Sequence, residues 1–227
     1  MNNHFKTVMT VAFFSLCANL FAATPNFKFT GKTVDELLPS GWIVQSRDTG
    51  DMNKDGVKDL LLTLQDTLSE PDPQCRTFYV AVCWGSKEGI YSLFGVYSFG
   101  SGCELALEDE AFPADGPYRK TSELYASINS TGSMRIFIRT QFWLASHQLI
   151  ETTNLFRFQN GDFYLIGSEH YQYGTSGGSA GYGYGSSKNY LTGKMYEYDV
   201  EQYQKKKGKW GVMEKAPLTS LESIVKK

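Results

Sequence analysis

No excess of positive charge marks this chain of 227 residues: 22 Lys and Arg stand against 24 Asp and Glu, a formal charge of −2. That excludes a nucleic-acid binder held by phosphate neutralisation. Long Ala/Leu/Glu/Lys stretches are scarce, and no helix-length periodicity separates the apolar runs, which argues against a parallel α/β fold. Cysteine is scarce too, with four residues and no C-x-x-C spacing. Beyond residue 23 the only histidines are His147 and His170, so a zinc site has little to draw on. No stretch beyond residue 23 is long and apolar enough to span a bilayer.

Hydrophobic residues make up 41% of the chain, enough to bury a sizeable core and to exclude a fully disordered chain. Aromatics reach 15% and there are 22 Gly, a composition of strands and turns. The N-terminus reads as a signal peptide over residues 1–23. Lys6 is the basic start, Thr7 to Phe21 the apolar run, and Ala22-Ala23 the small-residue cleavage point. Lipidation at Cys17 is an alternative, although the bulky Leu16 precedes it. Residues 24–227 are then expected to form a single β-rich domain, exported to the periplasm or the extracellular space. Its 21 basic and 24 acidic residues leave about −3.

Three cysteines remain there: Cys75, Cys83 and Cys103. An oxidising compartment permits one disulfide and leaves one thiol over. Cys75 and Cys83 read as opposite ends of one strand, and eight residues of strand span roughly 26 Å. That is beyond disulfide reach, so any bridge joins Cys103 to one of the other two.

Alternating apolar and polar residues predict strands at Trp42–Ser46, Leu60–Gln65, Thr77–Trp84, Ile90–Phe99, Leu124–Ile128, Met134–Phe142, Thr152–Gln159, Phe163–His170 and Leu191–Val200. Short turns such as Gly85–Gly89 and Asn160-Gly161 join them, which implies antiparallel sheets built of hairpins, sandwich-like or partly propeller-like. Little helix is expected: a turn at Val34–Leu38 and a terminal helix at Thr219–Lys226, capped by Thr219 with Glu222. The stretch 69–74, with Pro71 and Pro73, is expected as an exposed loop. The Gly/Ser/Tyr tract 173–188 has too little bulk to pack a core and is expected as a flexible loop.

The strongest chemical motif is an aspartate loop, Gly50-Asp-Met-Asn-Lys-Asp-Gly-Val-Lys-Asp-Leu-Leu-Leu62. Oxygen donors fall at Asp51, Asn53, Asp55 and Asp59. Gly56 permits the sharp turn that points the Val57 carbonyl inward as a further ligand. Calcium takes about six to eight oxygens, and alternate positions of a tight loop aim at a common centre. Three carboxylates so close repel one another unless a cation neutralises them. An EF-hand would place Glu where Leu62 stands, and the Leu-rich continuation reads as a buried strand. The expectation is a calcium ion (Ca2+) held in a β setting, in a structural role. A turn held only by Asx hydrogen bonds is the alternative.

This loop resembles the Asp-x-Asn-x-Asp-Gly-x-x-Asp calcium loop of FG-GAP/VCBS-type repeats, in a single copy. The stretch Phe156-Arg-Phe-Gln-Asn-Gly-Asp-Phe-Tyr-Leu-Ile-Gly167, with Asn189-Tyr-Leu-Thr-Gly-Lys194, resembles a group of uncharacterised exported bacterial proteins. The resemblance implies an exported β-rich domain and no particular activity.

Weaker features remain. Gly174-Thr175-Ser176-Gly177-Gly178 matches a nucleophile pattern by letters, with His170 nearby, but lacks the following helix. Glu104, Glu108, Asp109 and Glu110 offer paired carboxylates or a solvated turn. Lys205–Lys207 with Lys209 reads as a charged loop, or as a contact for an acidic surface. Tyr171, Tyr173, Tyr182, Tyr184 and Tyr190 offer stacking surfaces for a sugar or protein partner. The balance points to a non-enzymatic binding or structural module, with an unknown protein or glycan partner. The alternatives are a hydrolase of envelope or extracellular polymers and a periplasmic inhibitor or immunity-type protein.

Overall fold

The computed structural model describes residues 27–67, 77–101, 120–142 and 148–225. Strands make up 62% of these residues and helices 7%, so the protein is mainly β. The strands are β1 (Thr30–Gly31), β2 (Trp42–Gly50), β3 (Asp59–Asp66), β4 (Thr77–Gly85), β5 (Tyr91–Ser101), β6 (Lys120–Ile128), β7 (Met134–Phe142), β8 (Gln148–Gln159), β9 (Asp162–Gly174), β10 (Gly183–Asn189), β11 (Lys194–Glu201), β12 (Gln204–Lys205) and β13 (Lys209–Val212). Helix α1 spans Val34–Leu37 and helix α2 Leu221–Val225.

All pairing between these strands is antiparallel. One sheet runs β1-β5-β4-β3-β2. The other runs β12-β11-β10-β9-β8-β7-β6, with β13 also on β11, and is curled. Hairpin chemistry follows the sequence. Asn160 and Gly161 both have positive φ, 52° and 83°, as a two-residue type I′ turn demands between β8 and β9.

The main core lies between the sheets. Leu61, Val80 and Val82 of the first, with Met52 of the loop between β2 and β3, face Leu124, Ala126, Met134, Ile136, Phe156 and Phe163 of the second. On the outer face of the first sheet, Leu60, Leu62, Leu64, Ala81 and Cys83 pack against Leu37 of α1. Strand β3 is therefore buried on both faces, which explains its unbroken run of leucines. Cys83 is a free thiol in that second layer, and burial pushes it up to about 12. Cys75, Cys103, the proposed signal peptide and the 69–74 loop lie outside the described residues.

Two expectations are corrected. The tract 173–188 is no flexible loop: after a 3-10 turn at Gly177–Ser179 it forms β10, an interior strand paired to β9 and β11. Low bulk is what the site requires, because the Tyr198 ring lies over Gly185. A Cβ there would come within 2.3 Å of Tyr198 Cζ. At the C-terminus, α2 begins at Leu221, and the Ser220 hydroxyl, not Thr219, accepts from the Ser223 N–H at 3.3 Å. Thr219 is committed to the sheet, its carbonyl accepting from Leu165 N–H.

Candidate functional site

The aspartate loop joins β2 to β3. Lys54 and Gly56 take positive φ, 68° and 84°, which folds residues 51–57 into a tight turn. Asp51 Oδ1 and Asn53 Oδ1 both accept from the Asp55 N–H, at 3.2 and 3.0 Å. Asp51 Oδ2 accepts from Gly56 N–H at 3.1 Å, and Asp55 Oδ1 from Val57 N–H at 2.7 Å. Asn53 Nδ2 donates to Asp55 Oδ2 at 3.0 Å. The structure thus brings Asp51, Asn53 and Asp55 together around one short stretch of backbone, and Val57 enters through its N–H.

Asp59 is placed differently. It is 0% exposed. Its Oδ2 accepts from the N–H groups of Met52 and Asn53, at 2.7 and 3.4 Å, and its Oδ1 from Gly85 N–H at 3.1 Å. Burial raises its carboxyl above the usual carboxylate range, the three N–H donors pull it back, and the charge of Asp55 adds to the rise. A Cβ on Gly85 would sit 2.1 Å from the Lys58 carbonyl, so only glycine lets that N–H reach Asp59. Among the described residues, no three His, Cys, Asp or Glu side chains gather as a metal-binding group. The donor set is nonetheless all oxygen, as a hard cation requires. Lys54, the one cation within 51–57, turns its ammonium to the Thr131 carbonyl.

That contact seats the loop on the β6–β7 turn. Gly132 lies so close that a Cβ would meet the Asp51 carbonyl at 2.2 Å. Asp48 Oδ2 accepts from Ile128 N–H at 2.8 Å, and Thr63 Oγ1 from Ala126 N–H at 3.0 Å. The β2–β3 hairpin is therefore pinned to β6 of the other sheet on both sides of the loop.

A second feature was only half legible in the sequence. Cross-strand register places Glu123, Arg139, Glu151, Tyr171, Gly185 and Tyr198 in one row across β6 to β11. Since side chains alternate along a strand, these residues share one face. Arg139 ties the row together, with Nη2 at 2.7 Å from Glu151 and Nη1 at 3.8 Å from Glu123. Tyr171 and Tyr173 share that face, whereas Tyr184 stacks with His170 on the other, at 5.6 Å. Tyr190 bonds Ser168 Oγ at 2.9 Å, and Tyr182 is exposed. Tyr196, Tyr198, Tyr203 and Trp210 were missed as partners. The signal was the i, i+2 spacing of Tyr171/Tyr173 and Tyr196/Tyr198.

The other candidates are not assembled. His170 contacts Thr152 Oγ1 at 3.5 Å and Tyr184, while the Ser176 carbonyl accepts from Ser179 Oγ. Lys205 lies over Tyr198 and Lys206 pairs with Glu201 at 3.0 Å. Glu104, Glu108, Asp109, Glu110 and His147 lie outside the described residues. No helix among the described residues is long and apolar enough to cross a membrane. Comparison with protein-family profiles, curated proteins and solved structures finds no match.

Proposed function

We propose that the chain is an exported β module, stabilised by calcium, that acts by binding and not by catalysis. The observation that carries the reading is the seating of the aspartate loop: three oxygen-bearing side chains wrap one turn, and that turn rests on the opposite sheet. Asp51, Asn53 and Asp55, with the Val57 carbonyl and Asp59, would hold the ion. Its charge would relieve the repulsion among the three carboxylates. The loop would then fasten the β2–β3 hairpin to the β6–β7 turn. Export rests on Lys6, the apolar run to Phe21 and Ala22-Ala23.

The experiment is metal analysis of residues 24–227 after equilibrium dialysis against about 0.2 mM calcium, well above a dissociation constant of about 10 μM. One bound calcium per chain is expected, lost in Asp51→Ala and in Asp55→Ala. Equal metal content in the wild type and both variants would refute the site.

A further inference from the structure

The ladder between β4 and β5 ends, among the described residues, on the pair Thr77↔Ser101. Cys75 stands two residues before Thr77, and Cys103 two residues after Ser101. Both cysteines lie outside the described residues, and their anchors alone limit where they can reach. Paired Cα atoms of an antiparallel ladder are about 4.5–5.5 Å apart. Two residues of chain reach at most about 7 Å in any conformation. A bonding separation, about 4.4–6.8 Å between Cα atoms, is therefore open to Cys75 and Cys103. Cys83 is out of reach of both. Between Thr77 and Cys83 the unbroken strand β4 rises about 20 Å. Even with either of the other two stretched toward it, Cys83 stays at least about 13 Å away, where a bridge needs less than about 7 Å. It is a free thiol, 1% exposed, opposite Leu60 and Leu93 in the layer packed on α1. The sequence alone leaves Cys103 two partners, and the length of β4 removes one.

We propose that Cys75 and Cys103 form a disulfide in the mature protein, with Cys83 kept as its free thiol. The proposal rests on reading the chain as exported, which also removes Cys17 with the leader. The bond forms by exchange with an oxidant that itself carries a disulfide. One cysteine thiolate attacks a sulfur of the oxidant and expels the other as a thiolate. The second cysteine thiolate then attacks the mixed disulfide and releases the rest of the oxidant. The two cysteines lose two protons and two electrons, and the disulfide of the oxidant leaves as two thiols. The place of the bond in the fold gives it a role. After Ser101 the chain leaves the first sheet for β6 of the second. On its far side β5 is held, among the described strands, only by the two residues of β1. A bridge from 75 to 103 ties that departure point to β4 and keeps the hairpin from opening at its free end. It also restricts the unfolded chain.

Peptide mapping of unreduced protein tests it. The full chain, with its own N-terminus, is expressed in a bacterial host. The periplasmic and cytosolic fractions are denatured in an alkylating agent and digested without reductant. Periplasmic protein is expected to give one linked peptide pair, Cys75 with Cys103, and an alkylated Cys83. Any link through Cys83 overturns the proposal. So does periplasmic protein in which Cys75 and Cys103 are both alkylated. If the protein stays in the cytosol, the export reading falls. The pairing is then decided by folded, reduced protein re-oxidised in a mixture of oxidised and reduced glutathione. There a Cys75–Cys103 link upholds the pairing, and free thiols or a link through Cys83 overturn it. Melts of the exported protein without reductant give an independent reading. Cys75→Ser, Cys103→Ser and the double variant should all lower Tm by the same amount, about 5–15 °C for a closed loop of this length. A double variant that loses the sum of the two single losses would show two cysteines acting apart, and would overturn the bond.

Discussion

Asp59→Ala is the substitution from which most can be learned. The carboxylate is fully buried and accepts from three backbone N–H groups, those of Met52, Asn53 and Gly85. Two of these bonds are of full strength at 2.7 and 3.1 Å; the third, at 3.4 Å, is marginal. Truncation leaves the Met52 and Gly85 donors without their acceptor, at about 1–3 kcal/mol each. Removing a buried charge returns part of that loss. The expected net destabilisation is about 3–4 kcal/mol. With a urea m-value of about 2–3 kcal/mol/M, the unfolding midpoint falls by about 1–2 M. The titration is run in EDTA, so that no metal contributes. Asp55→Ala is the control, because Asp55 is exposed and holds one backbone N–H, that of Val57. Without metal it should cost less than about 1 kcal/mol. Equal, small losses in the two variants would refute the view that Asp59 latches the loop to the β4–β5 turn.

Other outcomes follow from the same contacts. Gly132→Ala meets the Asp51 carbonyl at 2.2 Å and forces a side chain into φ +75°, so it should destabilise by about 2–4 kcal/mol in urea titration. A wild-type midpoint would mean that the loop does not press on the β6–β7 turn. Burial pushes the Cys83 thiol up to about 12, so alkylation at pH 8 followed by peptide mapping should find Cys83 unmodified in the native protein and modified in urea. Because burial raises the Asp59 carboxyl, the folded state holds that proton more tightly than the unfolded chain. Its contribution is present below the unfolded value, near about 3.9, and is lost as pH rises through the folded one. In EDTA, the stability of the wild type minus that of Asp59→Asn should fall across that window; a rise would contradict the sign.

Much of the fold was legible because strands announce themselves locally. The alternation along Met134–Phe142 and the Asn160-Gly161 turn fixed their elements within the sequence itself. β10 was not legible. Gly183-Tyr-Gly-Ser-Ser-Lys-Asn189 has the composition of a linker, and only the Tyr198 ring from β11 makes glycine at 185 an asset. The aspartate loop could be read as a chemical motif, but the role of Asp59 could not. Its partner Gly85 is 26 residues away, and the burial that shapes its titration comes from tertiary packing. The aromatic face was visible as pairs of tyrosines two residues apart. That they join across three strands, and that Trp210 lies at their end, is set by register alone.

The calcium loop is tested most directly by thermal melts of residues 24–227 in EDTA and in about 1 mM calcium, for the wild type and Asp55→Ala. A site with a dissociation constant near 10 μM adds about 2.7 kcal/mol under those conditions. For a domain of this size that is a rise of about 5–11 °C, which Asp55→Ala should abolish while leaving the EDTA melt almost unchanged. Identical wild-type melts with and without calcium, in protein that metal analysis shows to be metal-free, would contradict the account.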